Sequence, residues 1–223
     1  MEWSPGPFWL SIKLAFYTTL FLTGIGIPLI YHIHFSKRMK PFFKAVVSLP
    51  FVLPPSVIGY YLLVAFSPDG WAGSIFESFF DLRLAFSFQG LVVASVIFSL
   101  PFMLNPILSG LENLPDSLEE AAYTLGKNRW QTFIKVLLPN VKSSLLIAMV
   151  MTFAHTIGEF GVVLMIGGSI PGETRVASVA IYNQVEALNY QTANVYALIM
   201  LVFSFVVLMV VYLVQGYRNP GLL

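Results

Sequence analysis

Five stretches of this sequence, each about 20 residues or longer, are predominantly apolar. A helix needs about 20 apolar residues to cross the roughly 30 Å hydrocarbon layer of a bilayer. Only 10% of the residues are charged, against about 25% in an ordinary soluble domain. The sequence therefore predicts an all-α integral membrane protein, a single domain over residues 1–223, with about five spans. We place them at Phe8–Ile33, Phe43–Phe66, Phe88–Leu111, Val141–Ile166 and Val195–Val214.

The basic residues are concentrated in alternate loops. Only Arg83 and Arg175 lie in the second and fourth loops, 67–87 and 167–194. Because lysine and arginine favour the cytoplasmic side, the 112–140 loop is predicted inside and these two loops outside. The N-terminus is then outside and the C-terminus in the cytoplasm. The basic residues on the predicted cytoplasmic side are Lys37, Arg38, Lys40, Lys44, Lys127, Arg129, Lys135, Lys142 and Arg218.

Prolines interrupt two of the apolar stretches. Pro50, Pro54 and Pro55 lie in the second, and Pro101 and Pro106 in the third. Each proline lacks a backbone N–H group and bends a helix, which lipid tolerates only where neighbouring groups satisfy the freed carbonyls. Two interpretations stay open: packing kinks in a helix bundle, or a helix pair that lines a conduction path.

The 112–140 loop contains the pattern of a short capped helix. Asp116 and Glu119 have the spacing of a capping box, and Gly126 is a typical residue after a helix end. We therefore predict a helix over Ser117–Leu125, about 14 Å long at 1.5 Å per residue. Its apolar face comprises Leu118, Ala121, Ala122 and Leu125.

A second capping pattern, Asn128 with Gln131, follows directly in the same loop. This pattern predicts the start of a second helix, and Pro139 is predicted to end that helix. The pair of helices could simply lie on the membrane surface, since periodicity alone is compatible with that arrangement. The predicted apolar face of the second helix comprises Trp130, Phe133, Ile134, Leu137 and Leu138.

The spacing of residues across both helices resembles a known signature. Glu120-Ala121-Ala122, three residues, Gly126, nine residues and then Val136-x-Leu138-Pro139 resembles the EAA motif of binding-protein-dependent ABC importer permeases. That motif reads Glu-Ala-Ala-x3-Gly-x9-Ile-x-Leu-Pro, so only Val136 departs from it, conservatively.

The resemblance implies a permease fold whose first loop helix docks into a groove on a cytosolic ATPase subunit. It implies two such ATPase subunits as partners, which hold Mg-ATP, while this chain holds no cofactor. The residues that it implies for coupling are Glu119, Glu120, Ala121, Ala122, Leu125, Gly126 and Pro139.

Other stretches resemble the molybdate branch of this family, with sulfate permeases as close relatives. The branch implies a bacterial or archaeal plasma membrane and an extracytoplasmic oxyanion-binding protein that delivers molybdate, and tungstate is an alternative cargo of similar size and charge. A permease for sulfate or another oxyanion is the alternative function. The matching stretches are Leu49–Leu63, Leu100–Pro106, Gly158–Gly161, Ile170–Arg175 and Ala180–Tyr182.

Glu159 is the acidic residue predicted deep within a span, and His155 lies one helical turn before it. Ionisable groups inside a membrane are costly and indicate function by default. With Gly158, Phe160 and Gly161 they form our candidate pathway or gate. A purely structural hydrogen bond from Glu159 to a neighbouring helix is the alternative. An anionic side chain repels an oxyanion, so we do not expect Glu159 to bind the cargo.

The sequence lacks the signature motifs of several other protein classes. There is no Gly-x4-Gly-Lys-Ser/Thr loop, no His-Glu-x-x-His pair and no cysteine. We expect this chain neither to catalyse a reaction nor to bind a metal ion. We expect it to contact the lipid bilayer and not nucleic acid. A stand-alone channel or carrier is the remote alternative, but it leaves the 112–140 loop unexplained. Because five spans enclose a path poorly, we predict a homodimer with the path on its twofold axis.

Overall fold

A computed structural model describes residues 3–36 and 38–216, and every regular element in those ranges is helical. This confirms the predicted all-helical class. Two basic residues of the charge argument, Lys37 and Arg218, lie outside the described residues. The helices are α1 (Gly6–Phe35), α2 (Lys40–Val52), α3 (Pro55–Phe66), α4 (Trp71–Phe80), α5 (Phe88–Glu112), α6 (Asp116–Thr124), α7 (Arg129–Thr132), α8 (Leu138–Asn140), α9 (Lys142–Gly158), α10 (Gly161–Gly167), α11 (Ala177–Glu186) and α12 (Tyr190–Gly216), and a π-helical turn over Phe133–Leu137 joins α7 to α8.

Three of these helices, α1, α5 and α12, are long and apolar enough to cross a membrane, as the first, third and fifth predicted spans require. Two bent helix pairs raise the number to five if each pair is one span. The helices α2 and α3 meet at 107°, and the Arg129–Asn140 segment meets α9 at 77°. The two loops predicted outside each contain a short helix, α4 in one and α11 in the other.

The predicted second span, Phe43–Phe66, consists of two helices with a sharp bend between them. The helix stops at Val52, and Leu53 and Pro54 are extended, with ψ of 136° and 138°. The physical reason is that a residue before proline avoids the helical region, and two prolines follow one another here. Pro55 then occupies the first turn of α3, where its missing N–H costs nothing. By contrast, α2 continues through Pro50, and α5 continues through Pro101 and Pro106.

The predicted fourth span, Val141–Ile166, also consists of two helices. The helix α9 ends at Gly158, Glu159 is extended with ψ of 134°, and α10 begins at Gly161. Glycine on both sides of this break weakens the local preference for helix. We call residues 159–160 the Glu159 interruption.

Two apolar cores hold the helices together, and buried hydroxyl groups lie between them along the chain. The first core joins the start of α1 to α10 and the first half of α5. The second joins the end of α1 to α9, the second half of α5 and the π-helical turn. Hydroxyl pairing occurs between them, since Ser99 Oγ lies 3.2 Å from Thr156 Oγ1. The buried hydroxyl residues between the cores are Thr18 and Thr19 on α1, Ser99 on α5, and Thr152 and Thr156 on α9.

Candidate functional site

The helix α6 forms the first half of the 112–140 loop, one residue earlier than predicted. It spans nine residues, Asp116–Thr124. The predicted capping box of Asp116 with Glu119 is wrong, because the helix begins after Pro115 without a side-chain cap. The Glu119 carboxylate has a different partner, since the Tyr123 hydroxyl donates to its Oε1 at 2.6 Å.

Gly126 ends α6, as predicted, and does so with a defined hydrogen-bonding pattern. Its φ of 75° lies in the left-handed region that favours glycine. The Gly126 N–H donates to the Tyr123 carbonyl at 2.9 Å, and the Lys127 N–H donates to the Ala122 carbonyl at 3.0 Å. This is a Schellman motif, which satisfies the last carbonyls of the helix. The chain therefore reverses sharply after α6 with its polar backbone groups paired.

The second helix of the loop begins with the predicted capping box. The Asn128 side chain accepts from the Gln131 N–H at 2.8 Å, and the Gln131 side chain accepts from the Asn128 N–H at 3.3 Å. The predicted apolar face is wrong in part, because Thr132 is buried and Trp130 is 48% exposed. Both residues lie in α7, before the π-helical turn begins at Phe133.

The seven residues predicted for coupling divide between the surface and the interior. Glu120, Ala121, Gly126 and Pro139 are exposed, and Leu125 is 79% exposed. Ala122 is buried, at 3%, and Glu119 is half-buried. The predicted face of small residues is therefore split: Ala122 anchors α6, while Ala121 and Leu125 point outward. An exposed leucine at the tip of a short, capped helix is suited to insertion into a groove on another protein.

The end of α1 packs against this loop, a contact that the sequence pattern did not indicate. The Tyr31 ring meets the rings of Trp130 and Phe133 edge to face, at centroid distances of 5.0 and 5.5 Å. The Arg129 guanidinium lies 5.9 Å from the centre of the Phe35 ring, within cation–π range. A sequence signal was available only in hindsight, as an aromatic cluster at the last turn of α1.

Tyr123 and His34 converge on Glu119. His34 Nε2 lies 3.5 Å from Glu119 Oε2. Burial raises the pKa of Tyr123 to about 12, and its hydrogen bond to Glu119 adds to the effect. Below that pH the tyrosine keeps its proton and remains a donor to the carboxylate. A cavity of about 590 Å³ borders this cluster.

At the Glu159 interruption the structure brings the candidate gate residues beside α5 and α2. The His155 ring stacks on Phe102 of α5 at a centroid distance of 3.7 Å, and Phe102 meets Phe51 of α2 at 4.8 Å. Glu159 is only 5% exposed, and both of its carboxylate oxygens have no hydrogen-bond partner among the described residues. Its backbone carbonyl accepts from Ser178 Oγ at 2.6 Å.

The two broken spans meet at glycines. A Cβ atom at Gly161 would come within 2.7 Å of the Pro55 ring, and one at Gly59 within 2.8 Å of Met165. The break before α3 therefore lies against the break before α10. A Cβ atom at Gly158 would meet no other atom within 4 Å. The centroid of the Phe160 ring lies 5.0 Å from that of the Tyr182 ring. Within the described ranges no group of three His, Cys, Asp or Glu side chains could hold a metal ion.

Comparison with known proteins places this architecture in a family. Residues 23–222 match the family described as "Binding-protein-dependent transport system inner membrane component". The chain is 43% identical over 210 residues to the molybdenum transport system permease protein ModB of Azotobacter vinelandii, covering 94% of this chain and 93% of that protein. It is 33% identical to a probable sulfate transport system permease protein cysT of Chlorella vulgaris, covering 91% and 76%.

A solved structure shows the same fold. It is a bacterial alginate ABC transporter in complex with an alginate pentasaccharide-bound periplasmic protein, and it aligns with a TM-score of 0.75 at 18% identity, covering 97% of this chain and 79% of that one. The expected resemblance and permease fold are thereby confirmed, and so is the expectation of a transport component rather than an enzyme. The chain belongs to the family of binding-protein-dependent transport system inner membrane components, the permease subunits of ABC importers.

Proposed function

We propose that this permease imports molybdate, and tungstate in its place, delivered by an extracytoplasmic oxyanion-binding protein. The observation that carries the proposal is 43% identity, over nearly the whole of both chains, to a molybdenum permease. The second candidate is sulfate, favoured by the 33% identity to a probable sulfate permease. Both cargoes are tetrahedral dianions, so the permease class is the same in either case.

The helix α6 is the part that engages the ATPase in this proposal. It is short, closed at both ends by turns, and carries Glu120, Ala121 and Leu125 outward. Two cytosolic ATPase subunits bind and hydrolyse Mg-ATP, and their closure moves α6 as a rigid body. Gly126 ends the moving helix and Pro139 lies near the far end of the 112–140 loop, while Ala122 and Glu119 face the rest of the permease.

The orientation and assembly follow from charge and from span number. The basic residues support a cytoplasmic 112–140 loop, an external N-terminus and a cytoplasmic C-terminus. We assign residues 1–223 to one membrane domain in a bacterial or archaeal plasma membrane. Two copies related by a twofold axis present two α6 helices, one to each ATPase subunit, and enclose the cargo path between them.

The pathway element in this proposal is the junction of the two broken spans. Interrupted helices that meet inside a membrane protein are the usual place for a site or gate, because irregular backbone is tolerated only in contact with protein or water. His155, Gly158, Glu159, Phe160 and Gly161 form one side. The opposite side is formed by the proline-containing segments, with Pro54 and Pro55 at the break and Pro50, Pro101 and Pro106 in the helices around it.

Uptake in proteoliposomes tests the function. The permease, its ATPase subunits and the loaded binding protein are reconstituted, and ATP-dependent uptake of labelled molybdate is measured with unlabelled competitors. We expect competition by tungstate and none by a hundredfold excess of sulfate. Equal competition by sulfate would move the assignment to the sulfate branch. Molybdate uptake without ATPase subunits would instead indicate a stand-alone channel.

A further inference from the structure

Each oxygen of the Glu119 carboxylate has a partner, one on α6 itself and one on α1. Oε1 accepts from the Tyr123 hydroxyl at 2.6 Å, and Oε2 lies 3.5 Å from His34 Nε2 on the last turn of α1. Its neighbour Glu120 is exposed. Of these two adjacent glutamates, Glu119 therefore contacts α1 and Glu120 is exposed at the surface.

Apolar packing alone holds α6 weakly. Ala122 is the one buried residue described in this helix, and a buried methyl group contributes on the order of 1 kcal/mol. The contact between Glu119 and His34 adds a polar contact from α6 to α1 beside this small apolar contribution. The Glu119 carboxylate thereby bridges α6 to a long helix that crosses the whole domain.

The end of α1, which carries His34, is held in place by packing. Tyr31 and Phe35 pack against Trp130 and Arg129 of the following helix. The second core continues along the same helix at Ile30 and Ile33, both nearly fully buried. A displacement that reaches His34 is therefore passed along α1 rather than absorbed by a loose end.

We propose that Glu119 is a positioning residue that ties α6 to α1 through His34, with Tyr123 of α6 holding the carboxylate in place, so that movement of α6 reaches the membrane core. The proposal rests on the function proposed above, in which an ATPase moves α6. Glu120 and Leu125 then form the contact with the ATPase, and Glu119 forms the contact that transmits the movement. Losing Glu119 uncouples ATP hydrolysis from uptake without releasing the ATPase.

The test measures three quantities for Glu119→Gln in the reconstituted importer: ATPase co-purification, ATP hydrolysis, and molybdate taken up per ATP hydrolysed. We expect the first two to stay near the wild-type level and uptake per ATP to fall at least fivefold. Glu120→Lys should instead lose co-purification. His34→Ala, which removes the partner on α1 and leaves Glu119 in place, should reproduce the low ratio.

A matched control pair lies on α11, where the Tyr182 hydroxyl donates to Glu186 four residues on. Like Glu119–Tyr123, it is an exposed tyrosine–glutamate contact between residues four apart on one helix, with the order of the two residues reversed. Tyr123→Phe is expected to lower uptake per ATP, and Tyr182→Phe to leave it unchanged. If the two substitutions changed uptake per ATP equally, the effect would not be specific to Tyr123, and its proposed role in holding Glu119 would be overturned.

A rescue experiment separates positioning from misfolding. The chain has no cysteine, so His34→Cys with Glu119→Cys adds two unique thiols that a short bifunctional maleimide can join. We expect low uptake per ATP before cross-linking and recovery after it. Wild-type coupling in Glu119→Gln, loss of its ATPase, or no recovery on cross-linking would each overturn the tie. A wild-type chain that binds no ATPase would overturn the proposed function instead.

Discussion

The 112–140 loop and the Glu159 interruption are both departures from simple spanning helices, yet they handle polar groups in opposite ways. In the loop, Gly126 closes α6 with paired backbone groups, and Asn128 and Gln131 cap the next helix reciprocally. At the interruption, a buried carboxylate has no partner among the described residues. The loop is built to keep one shape, whereas the interruption holds a group that this conformation does not satisfy.

An unsatisfied buried polar group costs about 1–3 kcal/mol, and more if charged. A permease that alternates between states can retain such a group if another state satisfies it. We therefore propose rigid transmission for the loop and conformational change for the interruption. Four substitutions test this difference, starting with the largest expected effect.

Gly126→Pro should abolish ATP-driven uptake and leave membrane insertion intact. Proline holds φ near −65°, whereas Gly126 has φ of 75°, so α6 cannot end as it does. Uptake and ATPase co-purification are measured together in the reconstituted importer. Gly126→Asn is the control, because asparagine tolerates the left-handed region better than other residues with a side chain. Normal uptake by the Gly126→Pro variant would contradict the proposal that the 112–140 loop transmits movement as a rigid element.

Gly161→Ala should lower both thermal stability and uptake. The added Cβ atom meets the rigid Pro55 ring at 2.7 Å, and overpacking of this kind costs about 1–3 kcal/mol. Gly158→Ala is the matched control three residues away, since a Cβ atom there meets nothing within 4 Å. The unfolding temperature in detergent and the uptake rate are the measurements. Similar behaviour of the two variants would contradict a close contact between the broken spans.

Glu159→Gln should reduce uptake without reducing the stability of the purified protein. The carboxylate has no hydrogen-bond partner here among the described residues, so its removal breaks no contact. Replacing it by an apolar residue, Glu159→Leu, should raise stability by about 1–3 kcal/mol, the penalty of an unsatisfied group. Thermal unfolding, uptake and basal ATP hydrolysis are compared. Unchanged uptake and unchanged basal hydrolysis in Glu159→Gln would exclude a gating role that needs the charge.

Asn128→Ala should have the smallest effect, about 1 kcal/mol of local helix stability. It removes the acceptor of the Gln131 N–H, which hydrogen exchange at that amide reports directly. Asp116→Ala is the control, because α6 begins without a side-chain cap. Exchange at the Leu118 N–H, which donates to the Pro115 carbonyl, should then be unaffected. Equal loss of protection in both helices would mean that the loop is less well defined than its capping pattern indicates.

Local chemistry explains which parts of the loop were predictable. The Asn128–Gln131 cap and the Gly126 helix end depend on residues within a few positions of each other, so their spacing sufficed. The Asp116–Glu119 cap failed because the helix already begins at Asp116, after Pro115, and the Glu119 carboxylate contacts Tyr123 on α6 and His34 on α1 instead. No spacing rule on α6 could indicate a partner on α1.

The breaks in the second and fourth spans were predictable only in part. Apolar stretches of the right length predict a span, and Phe43–Phe66 and Val141–Ile166 satisfied that rule. The consecutive prolines at 54 and 55 signalled a bend but not its size of 107°. The glycines that flank Glu159 were visible in the sequence, but the close approach of Gly161 to Pro55 joins segments far apart in the sequence.

Thiol accessibility on α6 tests the central claim, that the 112–140 loop is where the ATPase engages. Because the chain has no cysteine, Leu125→Cys and Ala122→Cys each add a single thiol, the first at a site that is 79% exposed and the second at one that is 3% exposed. We predict that the Leu125→Cys variant reacts rapidly with a maleimide in the isolated permease and is protected when the ATPase subunits are bound. The Ala122→Cys variant should react slowly in both preparations. Equal reactivity of the Leu125→Cys thiol with and without bound ATPase subunits would contradict the claim.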